Sequence, residues 1–136
     1  MADPHGQHVW FELNTDNLDA SRAFYAAVFG WEVRDSGMPG MAYWMAGPPG
    51  HAVAGMMALT PEMQQGGARP GWTGYVAVHD VDADAQRLRG LGGAVHLPPT
   101  DIPGVGRFAI VADPQGAVFA LFRPKGPRLS FVPPNL

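Results

Sequence analysis

Apolar and polar residues alternate from Val9 to Thr15, with Val9, Phe11 and Leu13 on one side and Trp10, Glu12 and Asn14 on the other. That two-residue period predicts a strand whose first face meets a helix. The period then changes. Leu18, Ser21, Phe24, Tyr25 and Val28 recur at helical spacing, with Asp16 or Asn17 as a cap and Gly30 as the stop. Phe24 and Tyr25 are read as core residues of this helix. Trp31 to Asp35, Met41 to Ala46 and Val53 to Leu59 read as three further strands, separated by turn-forming runs at 36–40 and 47–50. Thr60 to Gly71 carries two prolines and three glycines without apolar periodicity and reads as a connecting segment.

The same order then returns. Trp72 to Val78 reads as a strand, with Val76 and Val78 toward a helix and Thr73, Tyr75 and Ala77 opposite. The helix spans about Val81 to Leu91, with Ala85, Leu88 and Leu91 inward and Gly92-Gly93 ending it. Ala94 to Leu97, Gly106 to Ala112 and Ala117 to Phe122 supply the remaining strands, the last two joined by the turn Asp113-Pro114-Gln115-Gly116. Asn17/Asp80, Leu18/Val81, Asp19/Asp82, Ala20/Ala83, Val28/Leu91 and Gly30/Gly93 all lie 63 positions apart. A repeat of this length is too long for a solenoid unit and too short for two independent domains. It divides one domain, residues 1–136, into a first module at about 8–60, a linker at 61–71, a second module at about 72–124 and a tail at 125–136.

Composition narrows the function classes. Cysteine is absent, which removes disulfides, thiolate metal sites and cysteine nucleophiles, and fits a reducing compartment. The residues from Met1 to His8 are polar and show neither a signal peptide nor a membrane span, so a cytoplasmic protein is expected. Net charge is -3 and the basic residues are scattered, which disfavours nucleic acid as a partner. Only 15% of residues are charged, while 18 are glycine and 14 proline, which points to short strands and an unusually apolar surface or cavity.

The paired β-α-β-β-β order, the Asn17-Leu18-Asp19-Ala20 and Asp80-Val81-Asp82-Ala83 helix entries, Phe24-Tyr25 followed by Phe29-Gly30-Trp31, and the closing Asp113-Pro114-Gln115-Gly116 turn resemble the vicinal oxygen chelate superfamily. The likeness covers roughly residues 8 to 124 and is nearest to its glyoxalase/bleomycin resistance protein group. It implies an α+β fold in which two βαβββ modules form a half-open mixed-sheet barrel, and it implies a homodimer. In metal-dependent members, histidines and glutamates from the first and last strands of each module hold a cation. The matching positions here are Trp10, Thr73, Ala120 and either Gly55 or Met57. None supplies the imidazole, carboxylate or thiolate such a cation requires, so the expectation is no metal ligand and no cofactor, with a divalent metal as the alternative. His5, His8, His51, His79 and His96 are read as solvated or capping.

The concave face is then expected to be an aromatic, apolar bowl lined by Trp10, Glu12, Asn14, Tyr43, Met45, Met57, Thr73, Tyr75, Ala120 and Phe122, suited to a small organic molecule. Trp10 and Tyr75 are placed to stack on a planar or cationic ligand, and methionines adapt to irregular shapes. Glu12 is the candidate catalytic residue. Beside Trp10 and Tyr75 it would lose solvation, favouring its neutral form and a role as general base or as partner to a cationic group. A salt bridge to Arg107 is the structural alternative. Three functions stay open: metal-free binding of a small, largely apolar molecule, an enzyme of lyase, isomerase or dioxygenase type, and a module used only for association. The tail, with Leu129, Phe131 and Val132 among prolines, would cross a partner, cover its own barrel, or stay disordered.

Overall fold

The computed structural model describes residues 3–40 and 42–125. Position 41, the first residue of the expected third strand, and residues 126–136 of the tail lie outside the described residues, and so does any role for that tail. The elements fall into two compact units, one built on residues 10–72 and the other on residues 73–125 together with residues 3–9. Each unit holds four strands of mixed direction, and the α+β class and paired β-α-β-β-β order expected from the sequence are both found.

In the N-terminal unit, β1 (His8–Thr15) leads into α1 (Leu18–Phe29), followed by β2 (Glu32–Asp35), β3 (Trp44–Gly47) and β4 (Ala54–Ala58). The strand order is β2-β3-β4-β1, with β1 parallel to β4 and the other pairs antiparallel. Asn17 caps α1 by accepting a hydrogen bond from the Ala20 amide at 3.0 Å. Gly30 ends it at φ 71°, a left-handed conformation that costs glycine no Cβ clash, and donates to the Ala26 carbonyl at 2.8 Å. The face of the sheet that meets α1 carries Leu13, Ala46 and Met56, packed against Leu18, Tyr25, Trp31, Val33 and Trp44. Trp44 also lies beneath the Arg22 guanidinium, 4.0 Å from the ring centre.

The C-terminal unit repeats the plan with β5 (Gly71–Ala77), α3 (Val81–Gly90), β6 (Ala94–Ile102), β7 (Gly106–Ala112) and β8 (Val118–Pro124), in the order β5-β8-β7-β6. Asp80 caps α3 through the Ala83 amide at 3.0 Å, the same bond as Asn17 to Ala20, so the sequence repeat at these positions is a repeat of capping geometry. Val78, Val81, Ala85, Ala109, Val111 and Leu121 form the core beneath α3. Residues 3–9 run along this unit: Gly6 donates to the Ala77 carbonyl at 2.7 Å and the Ala77 amide donates to Gln7 at 2.8 Å. Asp113 holds the last turn by accepting from the amides of Gln115 and Ala117, both at 2.9 Å.

Four expectations are corrected. The connecting segment contains a short helix, α2 (Pro61–Gln65), because the Thr60 hydroxyl accepts from the Met63 amide and Pro61 sits where no amide donor is needed. The strand expected to end at Leu97 continues to Ile102 through Pro98 and Pro99, which an edge strand tolerates because its outer amides need no partner; its pairing with β7 shifts register on either side of Leu97. Phe24 is exposed rather than core, because it stands about 100° around the helix from Tyr25, which takes the inward position. Phe11 and Leu91, assigned to helix-facing positions, are exposed as well. Among the described residues no helix is long and apolar enough to cross a membrane.

The Arg107 guanidinium ties β7 to α3 and β6, donating through Nε and Nη2 to the Asp82 carboxylate at 2.8 and 2.9 Å and through Nη1 to Asp101 at 3.0 Å. These bonds hold the Asp82 carboxyl below its ordinary value and raise Arg107. A carboxyl whose folded pKa is depressed adds stability above the unfolded value and loses it as pH falls through the folded value. Thermal melts of the wild type and of Asp82→Asn should therefore differ between about pH 5 and 7 and converge as pH falls below the ordinary aspartate value of about 3.9 and through the lowered folded one; a constant offset down to the acid limit would show that this pair does not titrate as described.

Candidate functional site

Strand alternation fixes what stands on the sheet face turned away from each helix. In the N-terminal unit, Leu13, Ala46, Met56 and Val33 point to α1, so Glu12, Met45, Gly55 and Arg34 occupy the other side. These four are in register: Arg34 pairs with Met45, Met45 with Gly55, and Gly55 with Glu12. One row across four strands thus has a cation at one end, a carboxylate at the other, and a thioether and a bare backbone between. Asn14 pairs with Met57 in the next row.

Gly55 has no side chain because its space is taken. A Cβ built there would lie 1.9 Å from the Tyr43 hydroxyl oxygen and 2.2 Å from the carbon that bears it. Tyr43 is buried, and its hydroxyl accepts a hydrogen bond at 2.9 Å from the indole Nε1 of Trp10, itself only 2% exposed. The sequence placed Trp10, Glu12, Asn14, Tyr43, Met45 and Met57 on one surface, and the N-terminal unit brings them to the face opposite α1. Trp10, Tyr43 and Met45 form its buried floor, while Glu12, Asn14 and Met57 are partly exposed above it.

The C-terminal unit is organised in the same way. Thr73 and Tyr75 on β5, and Ala120 and Phe122 on β8, lie on the face opposite α3, with Tyr75 paired to Ala120 and Phe122 paired to Phe108 of β7. Tyr75 stacks on Phe108 with ring centres 6.3 Å apart and meets Phe122 edge-on at 6.0 Å. Tyr75, Ala120 and Phe122 are buried, and Thr73 is partly exposed. The rings of Trp10 and Tyr75, expected as stacking surfaces, are therefore already packed, and ligand contact through them requires their neighbours to move.

Two concavities border these faces. One is a shallow depression with no room for a water molecule, lined by Glu32, Arg34, Met45, Gly47, Pro48 and Ala52, with Arg34 and Glu32 3.8 Å apart. Glu32 and Arg34 were not among the residues expected on this side, although Val33 between them, turned to α1, carried the signal. The second, about 390 Å³, lies at the β6–β7 turn of the C-terminal unit, where Asp101, Arg107, Arg123 and Lys125 line it. Arg107, the alternative partner for Glu12, has its guanidinium committed to Asp82 and Asp101.

The family's cation positions do not fit a divalent ion. Trp10 and Ala120 are apolar, Thr73 offers only a hydroxyl, Met57 only a thioether, and the space at Gly55 is filled by Tyr43. Among the described residues no group of three or more histidines, aspartates or glutamates converges on one point. His79 and His5 do meet, with rings 4.5 Å apart and His79 Nε2 2.7 Å from Asp3. This cluster ties the N-terminal segment to the start of α3, where the His79 amide donates to His5 Nδ1 at 3.1 Å.

With four strands and a capped helix repeated in each unit, comparison with known proteins gives the class. A family model described as the glyoxalase/bleomycin resistance protein/dioxygenase superfamily matches residues 7–121, and the chain belongs to that superfamily. Among particular proteins, it is similar to "Putative glyoxylase CFP32" of Mycobacterium tuberculosis, 37% identical over 116 residues that cover 84% of this chain and 44% of that protein. It is also similar to the anthracycline biosynthesis protein DauV of Streptomyces sp. strain C5, 35% identical over 129 residues covering 87% of this chain and 47% of that protein. The chain thus spans less than half the length of these relatives. The solved methylmalonyl-CoA epimerase of Mycobacterium tuberculosis shares the fold, with a TM-score of 0.62 at 19% identity and 93% of each chain covered.

Gly55 is the position most sensitive to a single added carbon. Gly55→Ala should expel the Tyr43 hydroxyl, break its bond with Trp10 and destabilise the chain by about 1–3 kcal/mol, the usual range for overpacking a filled interior. Denaturant unfolding with tryptophan fluorescence checks this, and a variant as stable as the wild type would show that the Tyr43 ring is not fixed over Gly55.

Proposed function

We propose that this protein binds a small, largely apolar organic molecule on the strand face opposite α1, without a metal ion, and that Glu12 is its polar anchor. The observation that carries the proposal is the cross-strand row Arg34, Met45, Gly55, Glu12. It sets two opposite charges about three strand spacings apart over a floor of Trp10, Tyr43 and Met45. Apolar area with a few fixed polar groups is the usual composition of an organic-ligand site. Asn14 and Met57 offer an amide and an adaptable thioether in the adjacent row. On the C-terminal unit, Thr73 is the polar group above the packed Tyr75, Ala120 and Phe122, and we assign these four to the same function.

The relatives' names support an organic ligand. One is named for anthracycline biosynthesis and one as a glyoxylase, and a structure of methylmalonyl-CoA epimerase, a fold neighbour, holds methylmalonyl-CoA. A second reading is supported by Glu12 itself, a partly buried carboxylate in cross-strand register with Gly55 and Met45. In that reading it removes a proton from the bound molecule, and the protein is an isomerase or lyase that needs no cation. We further read the protein as a cytoplasmic homodimer.

Native mass spectrometry of the protein as purified tests the anchor. The wild type is expected to retain organic mass at up to one molecule per chain. Glu12→Gln should lower that occupancy at least about tenfold while leaving circular dichroism and melting temperature unchanged. Equal occupancy in the two proteins would remove Glu12 from the site.

A further inference from the structure

We infer that the outer face of α1 is where two copies of this chain meet, as an isologous pair about a two-fold axis. The inference rests on the homodimer reading above and adds the surface. No residue of α1 is fully buried, although nine of its twelve residues are Ala, Val, Leu, Phe or Tyr. Phe24 is 59% exposed, Val28 54% and Phe29 58%, and Trp72 beside them is 39% exposed.

Phe24, Phe29 and Trp72 belong to one ring cluster with Tyr25 and Trp31. Tyr25 lies 5.0 Å from Phe24, 6.0 Å from Phe29 and 5.3 Å from Trp72, and Phe29 lies 5.1 Å from Trp31. The Trp72 indole donates to the Tyr25 hydroxyl at 3.1 Å, so the patch is fixed in place and loses little side-chain freedom when covered. The face is exposed and preorganised together.

Charge and area select the occupant. The charged residues of α1 are Asp19 and Arg22, which pair with each other at 2.6 Å, and the seven residues from Ala23 to Phe29 include no charge. A partner of either sign would find nothing to recognise, whereas an uncharged aromatic face is complementary to itself and brings no like charges together in a two-fold pair. Phe24, Val28, Phe29 and Trp72 expose on the order of 400 Å² per chain, taking roughly 200 Å² for each whole side chain. Two such faces together supply about 800 Å² of apolar contact, the core of an interface that reaches standard size once a polar rim is added. Aromatic residues are also those enriched at such cores.

Sedimentation equilibrium over a range of concentrations tests the inference, using the wild type and the double variant Phe24→Glu/Val28→Glu. The wild type should be dimeric, and the variant should raise the dissociation constant at least about a hundredfold. Because the chain has no cysteine, Val28→Cys provides an independent readout that leaves the patch nearly intact. The thiol introduced at position 28 should react with a bulky maleimide at least tenfold more slowly above the dissociation constant than below it, while a thiol introduced by Gln115→Cys reacts equally at both. A wild type that is monomeric throughout overturns both this inference and the dimer reading. A dimer that survives the glutamates, with position 28 equally reactive at every concentration, overturns the surface and leaves the dimer reading intact. Protection at position 28 that does not change with dilution also overturns it, in favour of cover by residues 126–136 of the same chain.

Discussion

Each four-stranded unit buries one face under the helix that follows its first strand, and strand alternation then dictates every side chain on the other face. Leu13, Ala46 and Met56 commit one side of the N-terminal sheet to α1, and Ala109, Val111 and Leu121 commit one side of the C-terminal sheet to α3. What remains is the chemistry-bearing side. A one-residue slip of β4 would put Met56 where Gly55 lies and drive its side chain into Tyr43, so packing on both faces holds a single register.

The scaffold of an oxygen-chelating family has here been filled where cation donors would stand. Tyr43 over Gly55, hydrogen-bonded to Trp10, places a phenol and an indole at two of those positions and removes the room for imidazole or carboxylate ligands. What this leaves on the N-terminal unit is a sheet face whose polar groups are Glu12, Asn14, Glu32 and Arg34. Under the proposed function, discrimination among ligands would depend on shape and on these two carboxylates, one amide and one guanidinium, which suits an organic molecule with an apolar body and few charges.

Much of this was legible in the sequence where the signal is local. The caps Asn17 and Asp80, the stop at Gly30 and the Asp113 turn are short-range hydrogen-bond patterns, and the structure contains each of them. The family was legible for the same reason, since its repeat is a repeat of those patterns. Phe24 was not, because an apolar run at 24–25 and 28–29 leaves about 100° of doubt over which residues a helix turns inward. The Gly55–Tyr43 fit was out of reach too, because twelve positions separate a missing side chain from the ring that needs its space, and only strand register brings them together. The β6 extension was hidden by Pro98-Pro99, which break a central strand but not an edge.

The central claim is that the cation-holding positions now belong to packed, metal-indifferent side chains. Elemental analysis by plasma mass spectrometry of the protein, purified without chelator and then offered zinc, iron, nickel and manganese in turn, measures this directly. The account predicts well under a tenth of an equivalent of any of the four after desalting, and a melting temperature unmoved by their addition. One equivalent of any of these ions per chain, retained through desalting and raising the melting temperature, would contradict it.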